Sequence, residues 1–536
     1  MIDVSRTPGE PPSGSVWLAS GPIEERARPG PLPERVGVCV IGAGVAGLTT
    51  ACCLAREGKE VLVLDARRPG SGETGLSSAH LASALDDRFV ELERLHGLEG
   101  ARLAAGSHEA AIDWIERTVH AEGIECGFAR RDGWLFLGPD QRRDLLEQEL
   151  VAARRAGLEV ELHEQGPLPT LGPGPLLRFA RQAQVDPLRY LAGLARAFER
   201  LGGRIHHGVR AEGIEGGSPA AVLLPGGRRL YADAVVVATN SPVHLRVQLH
   251  TKQAAYRTYV VGLEVPRDPA LEALFWDTTD PYHYVRLAGV DAAPGLDLLL
   301  VGGEDHKTGQ ALHPERRWSL LEDWARSRFP SAGPLRWRWS GQVLEPVDGL
   351  GFIGRSPDRA GNVYLATGDS GHGMTHGTIA GLLLTDLILG RPNPWEHLYD
   401  PRRRTLSAGR TWLGENLNVA AHYLDWVASE AVRAPGQLAP GEGTVMSSGL
   451  QRLAVHRDEQ GEYQVLSARC PHLGGMVHWN AAEKSWDCPL HGSRFDACGR
   501  PLNGPANRGL GRVEPGRLLP LIEPAAAERE EPRASA

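Results

Sequence analysis

Val38–Asp65 reads VCVIGAGVAGLTTACCLAREGKEVLVLD. An apolar run passes into Gly-x-Gly-x-x-Gly at Gly42, Gly44 and Gly47, then a helix-period stretch, then a second apolar run ending in an acid. That order describes a strand, a tight turn, a helix and a parallel strand, the opening unit of a doubly wound α/β layer. Gly42 permits the turn, Gly44 lets the backbone approach a pyrophosphate beside Ala43, and Gly47 lets the helix lie close on the strand. The N–H groups that open the helix face the phosphates, and Asp65 is placed to accept from the adenosine ribose hydroxyls. The competing reading is a glycine-rich turn in an α/β unit that binds nothing.

The segment that follows separates FAD from a nicotinamide. Ala66–Leu81, ARRPGSGETGLSSAHL, is a Gly-, Ser- and Thr-rich loop whose backbone amides can wrap a pyrophosphate and a ribityl chain, for which an NAD dehydrogenase has no use. Gly361–Gly381, GNVYLATGDSGHGMTHGTIAG, runs from a strand into a Gly-rich helix start, which directs a positive dipole at an electron-rich flavin edge. Downstream, LGGRIHHG at Leu201–Gly208 lacks the spacing of a second dinucleotide fingerprint. A separate NAD(P)H site is therefore not expected.

Further out, AVVVAT at Ala234–Thr239, LDLLLVGG at Leu296–Gly303 and NVYLATG at Asn362–Gly368 read as strands. They alternate with helix-period segments at Glu109–Glu122 and Pro187–Leu201. Successive strands from Tyr256 to Gly303 without long helices between them predict an antiparallel substrate sheet beside the nucleotide-binding layer. A chain of 536 residues exceeds what one core organises, so several regions are expected. They are an extended, surface-lying Pro/Gly-rich arm (1–35), an FAD-dependent body (36–405), a helix and linker (406–443), a small all-β domain (444–524) and a disordered tail (525–536).

With 42% hydrophobic and 23% charged residues and a net charge of -8, nothing favours nucleic acid or an anionic membrane as partner. No run of about 18 apolar residues and no signal core is present, so a cytoplasmic protein without a membrane span is expected. Seven cysteines in such a length do not form a disulfide scaffold. Cys39, Cys52 and Cys53 read as small buried hydrophobes. Cys470 and Cys488 each have a histidine nearby and need a chemical reason.

That reason lies in Ser467–Asn480, SARCPHLGGMVHWN, and Trp486–Asp496, WDCPLHGSRFD. Cys470-x-His472 and Cys488-x-x-His491 deliver one thiolate and one imidazole from each of two loops, as a cluster with two sulfur ligands on one iron and two nitrogen ligands on the other requires. Zinc fingers instead tend to keep cysteines with cysteines and histidines with histidines. The fragment resembles Rieske [2Fe-2S] domains over about Thr444 to Ile522. Many high-potential members carry two more cysteines as a bridge between the ligand loops; Gly475 and Leu490 stand there. Cys498 is read as a free thiol. Ser493 keeps a hydroxyl able to donate to a cluster sulfur, while Phe495 stands where such members often have a tyrosine.

From Val36 to Tyr399 the segment order resembles the D-amino-acid oxidase family of FAD enzymes, which includes glycine-, sarcosine- and dimethylglycine-oxidising members. The resemblance implies cofactor contacts from Gly42, Ala43, Gly44, Gly47, Asp65, Ala66, Thr74, Gly75, Ser78, His80, Val209, Ala238, Gly368, Asp369, Gly371, Gly373, Met374 and Thr375. His80 occupies a place similar to that of the histidine that tethers flavin in dimethylglycine dehydrogenase relatives, where the loop has Trp-His and this one Ala79-His80; noncovalent packing is the alternative. His372 and Met374 are expected along the isoalloxazine, or to serve the helix start only.

For substrate the sequence offers Tyr282, Tyr284 and Arg286 in PYHYVRL, and His306 with Lys307 in GGEDHKTG. Arg286 would clamp a carboxylate, unless it is an ordinary surface arginine on a half-exposed sheet. Lys307 would lie over the flavin, unless it is a solvated turn lysine. The implied function is oxidation of a small amine or amino-acid-like substrate, with electrons passing from FAD through the cluster to an unknown acceptor. Alternatives are an electron-transfer reductase relaying electrons between a partner protein and FAD, and a redox sensor without turnover. With no bridge and no tyrosine donor, the cluster should lie in the lower or middle part of the Rieske range of roughly -150 to +300 mV. Voltammetry returning a midpoint near the top of that range would contradict this.

Overall fold

The computed structural model describes residues 14–19, 30–245, 247–311, 313–358, 361–423, 426, 438–448 and 451–513. Contacts divide the chain into two units: Met1–Lys307 with Glu315–Gly414, and Thr308–Pro314 with Glu415–Ala536.

In the first unit the strand Arg35–Ile41 lies between Val61–Asp65 and Arg228–Val237, parallel to both. Arg204–His207 and Val363–Thr367 extend the parallel set, and Phe352–Arg355 closes one edge antiparallel. The first apolar run is continuous because both sides of the strand are covered. Val38 and Val40 enter the core with helix Val45–Arg56, while Cys39 and Ile41 enter a separate core with Leu62 and Leu64. A Cβ on Gly47 would stand 1.9 Å from the Gly42 carbonyl oxygen, so only glycine allows this helix to approach this turn.

The helix Pro187–Arg200 begins as VDPLRYL predicts. Asp186 accepts from the Leu188 and Arg189 N–H groups, and proline occupies the first turn, where no N–H is needed. The helix expected at Glu109–Glu122 in fact starts at Arg88, with non-helical backbone at Gly97. Gly97, Gly100 and Gly106 hide its period in the sequence.

The antiparallel sheet is present but wider than its sequence window. Leu335–Pro346, Gln253–Pro266, Leu296–Lys307 and His283–Ala293 run antiparallel. Leu274–Asp277 then pairs in parallel with Ala129–Phe136, which continues to Leu176–Gln184 and His80–Leu81. The early strands are recruited by pairing across more than a hundred residues, which no local pattern reveals.

The arm is also corrected in part. Ser15–Ala19 is docked rather than surface-lying: Trp17 is fully buried, its Nε1 donates to the Ser77 carbonyl, and the Ser15 hydroxyl donates to that of Gly75. Residues 1–13 and 20–29 lie outside the described residues, as do 514–536 with the tail, and 427–437 with most of the linker.

In the second unit Gly443–Ser448, Gln451–Arg457 and Tyr463–Ser467 form one antiparallel sheet. His478–Asn480, Ser485–Asp487, Arg494–Asp496 and Pro501–Asn503 form another. Trp486 and Phe495 fill its core. Cys39, Cys52 and Cys53 are buried, and Cys498 is exposed. Among the described residues no helix is long and apolar enough to cross a membrane.

Along the sheet, His283 points away from the nucleotide layer. Its ring stacks on Trp324 with centroids 4.5 Å apart, and its Nδ1 lies 2.9 Å from Asp277 and its Nε2 3.5 Å from Glu304. Burial alone would lower its pKa, but the two carboxylates hold it at about 9. A folded pKa above the unfolded value of roughly 6.5 gives a stabilisation complete below that pH and lost as pH climbs to about 9. We expect a loss of up to roughly 3 kcal/mol across that window, reported by thermal melting, and a flatter profile in His283→Asn. Identical slopes in the two proteins would contradict it.

Candidate functional sites

At the nucleotide end, Gly42 has φ +110°, and a Cβ there would lie 2.3 Å from the Ala238 carbonyl oxygen. Asp65 secures the turn: its two oxygens accept from the backbone N–H groups of Ala43 and Arg67, each at 2.7 Å. Burial raises its pKa, and these amides oppose that rise. The acid beyond the second strand therefore shapes the loop itself. Val209 donates through its N–H to the Asp65 carbonyl. Thr74, on the turn Glu73–Leu76, accepts from the Val45 N–H at the helix start, and Gly44 lies against its hydroxyl. Ala43, Gly44 and Thr74 thus meet at one helix N-terminus, the place for a pyrophosphate, while Gly75 packs against Gly70.

Tyr282, Tyr284 and Arg286 share the opposite sheet face from His283, as alternation requires. The face near Tyr284 is open because Gly302 lies beneath it: a Cβ there would stand 2.1 Å from the phenol ring. The Tyr282 hydroxyl donates to Asp86 (3.0 Å), and Asp86 pairs with His372 (3.2 Å) at the start of helix Gly373–Leu389. Gly371 makes room for them, since a Cβ there would meet Asp86 at 2.3 Å. Burial disfavours charge on His372, but Asp86, Asp87 and Asp369 outweigh it and raise its pKa. Asp86 in turn is lowered by His372 and the Tyr282 hydroxyl against its own burial.

His80 meets Tyr284 edge-on at 5.4 Å, and its Nδ1 is 3.1 Å from the Ser78 hydroxyl. Its Nε2 is buried with no hydrogen-bond partner in the protein. Burial, then the Arg286 charge, pushes its pKa down to about 3, so the ring is neutral. A buried, unpartnered ring nitrogen beside two tyrosines is an atom that awaits a bound group.

Arg286 is corrected. It is neither clamp nor surface residue: it is fully buried, its guanidinium donates to the carbonyls of Ala79 (2.6 Å), Val185 (3.1 Å) and Ala288 (3.4 Å), and it lies over the Trp17 ring. His306 lies on the other face, with Tyr259. The Lys307 ammonium lies 6.0 Å over the Tyr256 ring. Met374 is packed in the core, while the Thr375 hydroxyl bonds His108. Asp369 accepts from the Leu344 N–H, and Gly368, at φ +73°, lies against Pro346. Asp86 and Asp305 were missed by the sequence reading, although Asp305 stands in the quoted GGEDHKTG.

In the second unit the Cys470 and Cys488 sulfurs face each other, and the His472 and His491 rings meet edge-on at 5.1 Å. Each sulfur also faces backbone N–H groups two and three residues on: His472 and Leu473 for Cys470, Leu490 and His491 for Cys488. The Ser493 hydroxyl bonds the Cys470 sulfur. Sulfur beside sulfur and imidazole beside imidazole is the donor arrangement that suits two irons. Among the described residues no three His, Cys, Asp or Glu side chains are gathered to hold one ion. Gly475 faces Leu490, where a Cβ would come within 2.5 Å, so an apolar contact occupies the place of a bridge.

Below the ligand loop, Arg494 donates to Asp487 (3.0 Å) and Glu483 (2.7 Å), and Asn480 and Ser485 also bond Asp487. Asp487 immediately precedes Cys488, so this buried network fixes the loop's origin.

Family comparison gives two matches. The FAD dependent oxidoreductase model matches residues 37–387, and the Rieske [2Fe-2S] domain model matches 428–514. The chain is 30% identical to the Rieske 2Fe-2S iron-sulfur protein YhfW of Bacillus subtilis, over 89% of this chain and 93% of that protein. It is 26% identical to gamma-glutamylputrescine oxidoreductase of Escherichia coli, over 72% of this chain and 91% of that one. The glycine oxidase structure from Geobacillus kaustophilus superposes with a TM-score of 0.58 at 19% identity, covering 69% of this chain and all of that one.

Arg494→Met leaves Asp487 buried without its cation, which costs about 3–5 kcal/mol. We expect the cluster's visible absorption to disappear at lower denaturant than in the parent protein while flavin absorption holds. Coincident loss at unchanged denaturant would contradict the assignment.

Proposed function

This chain belongs to the FAD dependent oxidoreductase family and carries a Rieske [2Fe-2S] domain, and from that premise we propose that it oxidises a small amine or amino-acid-like molecule and passes the electrons through the cluster to an acceptor. FAD supplies the two-electron acceptor and the cluster a one-electron carrier, which together convert a two-electron oxidation into single-electron delivery. One observation carries the reading. Tyr282, Tyr284, His80 and the Asp86–His372 pair converge where the substrate sheet meets the Gly-rich helix start.

The chain's own residues divide the work. Ala43, Gly44 and Thr74 would hold the pyrophosphate at the helix N-terminus. His372, whose pKa the neighbouring carboxylates raise against its burial, stands at the start of Gly373–Leu389, where the helix dipole favours negative charge on a reduced cofactor. The Tyr282 and Tyr284 rings, their hydroxyls tied to Asp86 and Thr258, form an apolar wall with a polar rim that excludes water and orients a C–H bond beside nitrogen. His80, neutral, offers Nε2 as a hydrogen-bonding atom.

A screen of amines and amino acids, added anaerobically to the holoprotein and followed by flavin absorbance and by the electron paramagnetic resonance of the reduced cluster, tests this. We expect bleaching by at least one compound, followed by the cluster signal. Bleaching only by a reduced ferredoxin would reverse the direction of flow, and no bleaching by any donor would overturn the reading.

A further inference from the structure

Resting on that proposed function, one carboxylate near the tyrosines remains without a role. Asp305 lies on the strand Leu296–Lys307, where a bulge at Glu304 (φ +57°) breaks the alternation and brings it to Thr258, which bonds both Asp305 and the Tyr284 hydroxyl. Its second oxygen, Oδ1, is buried with no hydrogen-bond partner in the protein. The groups facing it are mostly acidic: Asp86 and Glu304 add negative charge, and His283, already paired with Glu304 and Asp277, opposes them more weakly. Burial, with Asp86 and Glu304, pushes its pKa up to about 7. A half-buried carboxylate whose open oxygen is shielded from solvent, set among other carboxylates, is costly unless a cation arrives.

A second, independent observation points to the same place. The buried Nε2 of His80 also lacks a partner, and His80 reaches this cluster through Tyr284 and the charge of Asp86. Among the neighbouring cations, the Lys307 ammonium lies 6.0 Å over the Tyr256 ring, and two others are committed. Arg286 is held by three backbone carbonyls, and His372 by Asp86. The site therefore has an acceptor for positive charge, and its two central cations are engaged.

We propose that Asp305 is a cation subsite that binds a second, protonated amino group of the substrate, so that the substrates are aliphatic diamines. The reacting nitrogen must be neutral, because its lone pair stabilises the positive charge that develops as the neighbouring C–H bond breaks. An ammonium retained on Asp305 is thus a different nitrogen from the one oxidised. The overall step balances as R–CH2–NH2 giving R–CH=NH, two electrons and two protons, with FAD as the electron acceptor. Thr258 is a positioning residue: its hydroxyl holds one Asp305 oxygen and leaves Oδ1 for the ammonium.

The test uses the full-length holoprotein and three matched series: diamines from 1,3-diaminopropane to 1,6-diaminohexane, the monoamines of equal length, and the corresponding ω-amino acids. Anaerobic flavin reduction gives an apparent Kd and a limiting rate for each. The best diamine should bind roughly thirtyfold more tightly than its monoamine, with the amino acid weakest, a difference of about 2 kcal/mol. Asp305→Asn should erase that preference by weakening diamine binding while leaving monoamine binding and the limiting rate near those of the parent. Thr258→Val should reduce it in part. Flavin content and melting temperature identify a variant that fails to fold, in which case the wild-type series decides. Monoamines or amino acids that bind as tightly as diamines, or a preference that survives in Asp305→Asn, would overturn the subsite and leave amine oxidation standing. Failure of all three series to reduce the flavin would overturn both.

Discussion

A carboxylate taken out of water must meet a cation or a set of donors, and that constraint organises both units. In the first, Asp277 meets His283, Asp348 meets Arg403 and Thr405, and Asp65 meets two backbone N–H groups. In the second, Asp487 meets Arg494, Asn480 and Ser485. Two of these pairings fix a loop that chemistry needs: the phosphate turn at Gly42 and the ligand loop at Cys488. Buried charge gives these loops one geometry, because every alternative strands an ion in low dielectric.

The parts legible in the sequence were those whose cause is local. The contact that demands glycine at Gly47, against the Gly42 carbonyl, spans five residues, and Asp186-Pro187 sets its own helix. The Cys-x-His and Cys-x-x-His loops are likewise self-contained, their sulfurs facing amides two and three residues on. Alternation placed Tyr282, Tyr284 and Arg286 on one face. It could not say what lay opposite. The carbonyls of Ala79 and Val185, 207 and 101 residues away in the chain, take up Arg286, and the site is left acidic where a carboxylate clamp was expected. Trp17 was hidden for the same reason: its partners are the Ser77 carbonyl and the Arg286 guanidinium.

The two units answer different electronic demands with related devices. Around the flavin site the charges are side chains set in opposition, and His372, its pKa raised by neighbouring carboxylates, stands at the helix start. Around the cluster ligands the donors are mostly backbone N–H groups, with one hydroxyl from Ser493, and Phe495 contributes packing alone. With its donors largely main chain, the domain leaves the tuning of its potential to the few hydroxyls that remain.

The central claim is that one chain holds an FAD and a two-iron cluster together. Quantifying iron, acid-labile sulfide, zinc and released flavin in the purified holoprotein tests it most directly. The account predicts two irons and two sulfides for each FAD. Zinc in place of iron, or a colourless protein without flavin, would contradict it.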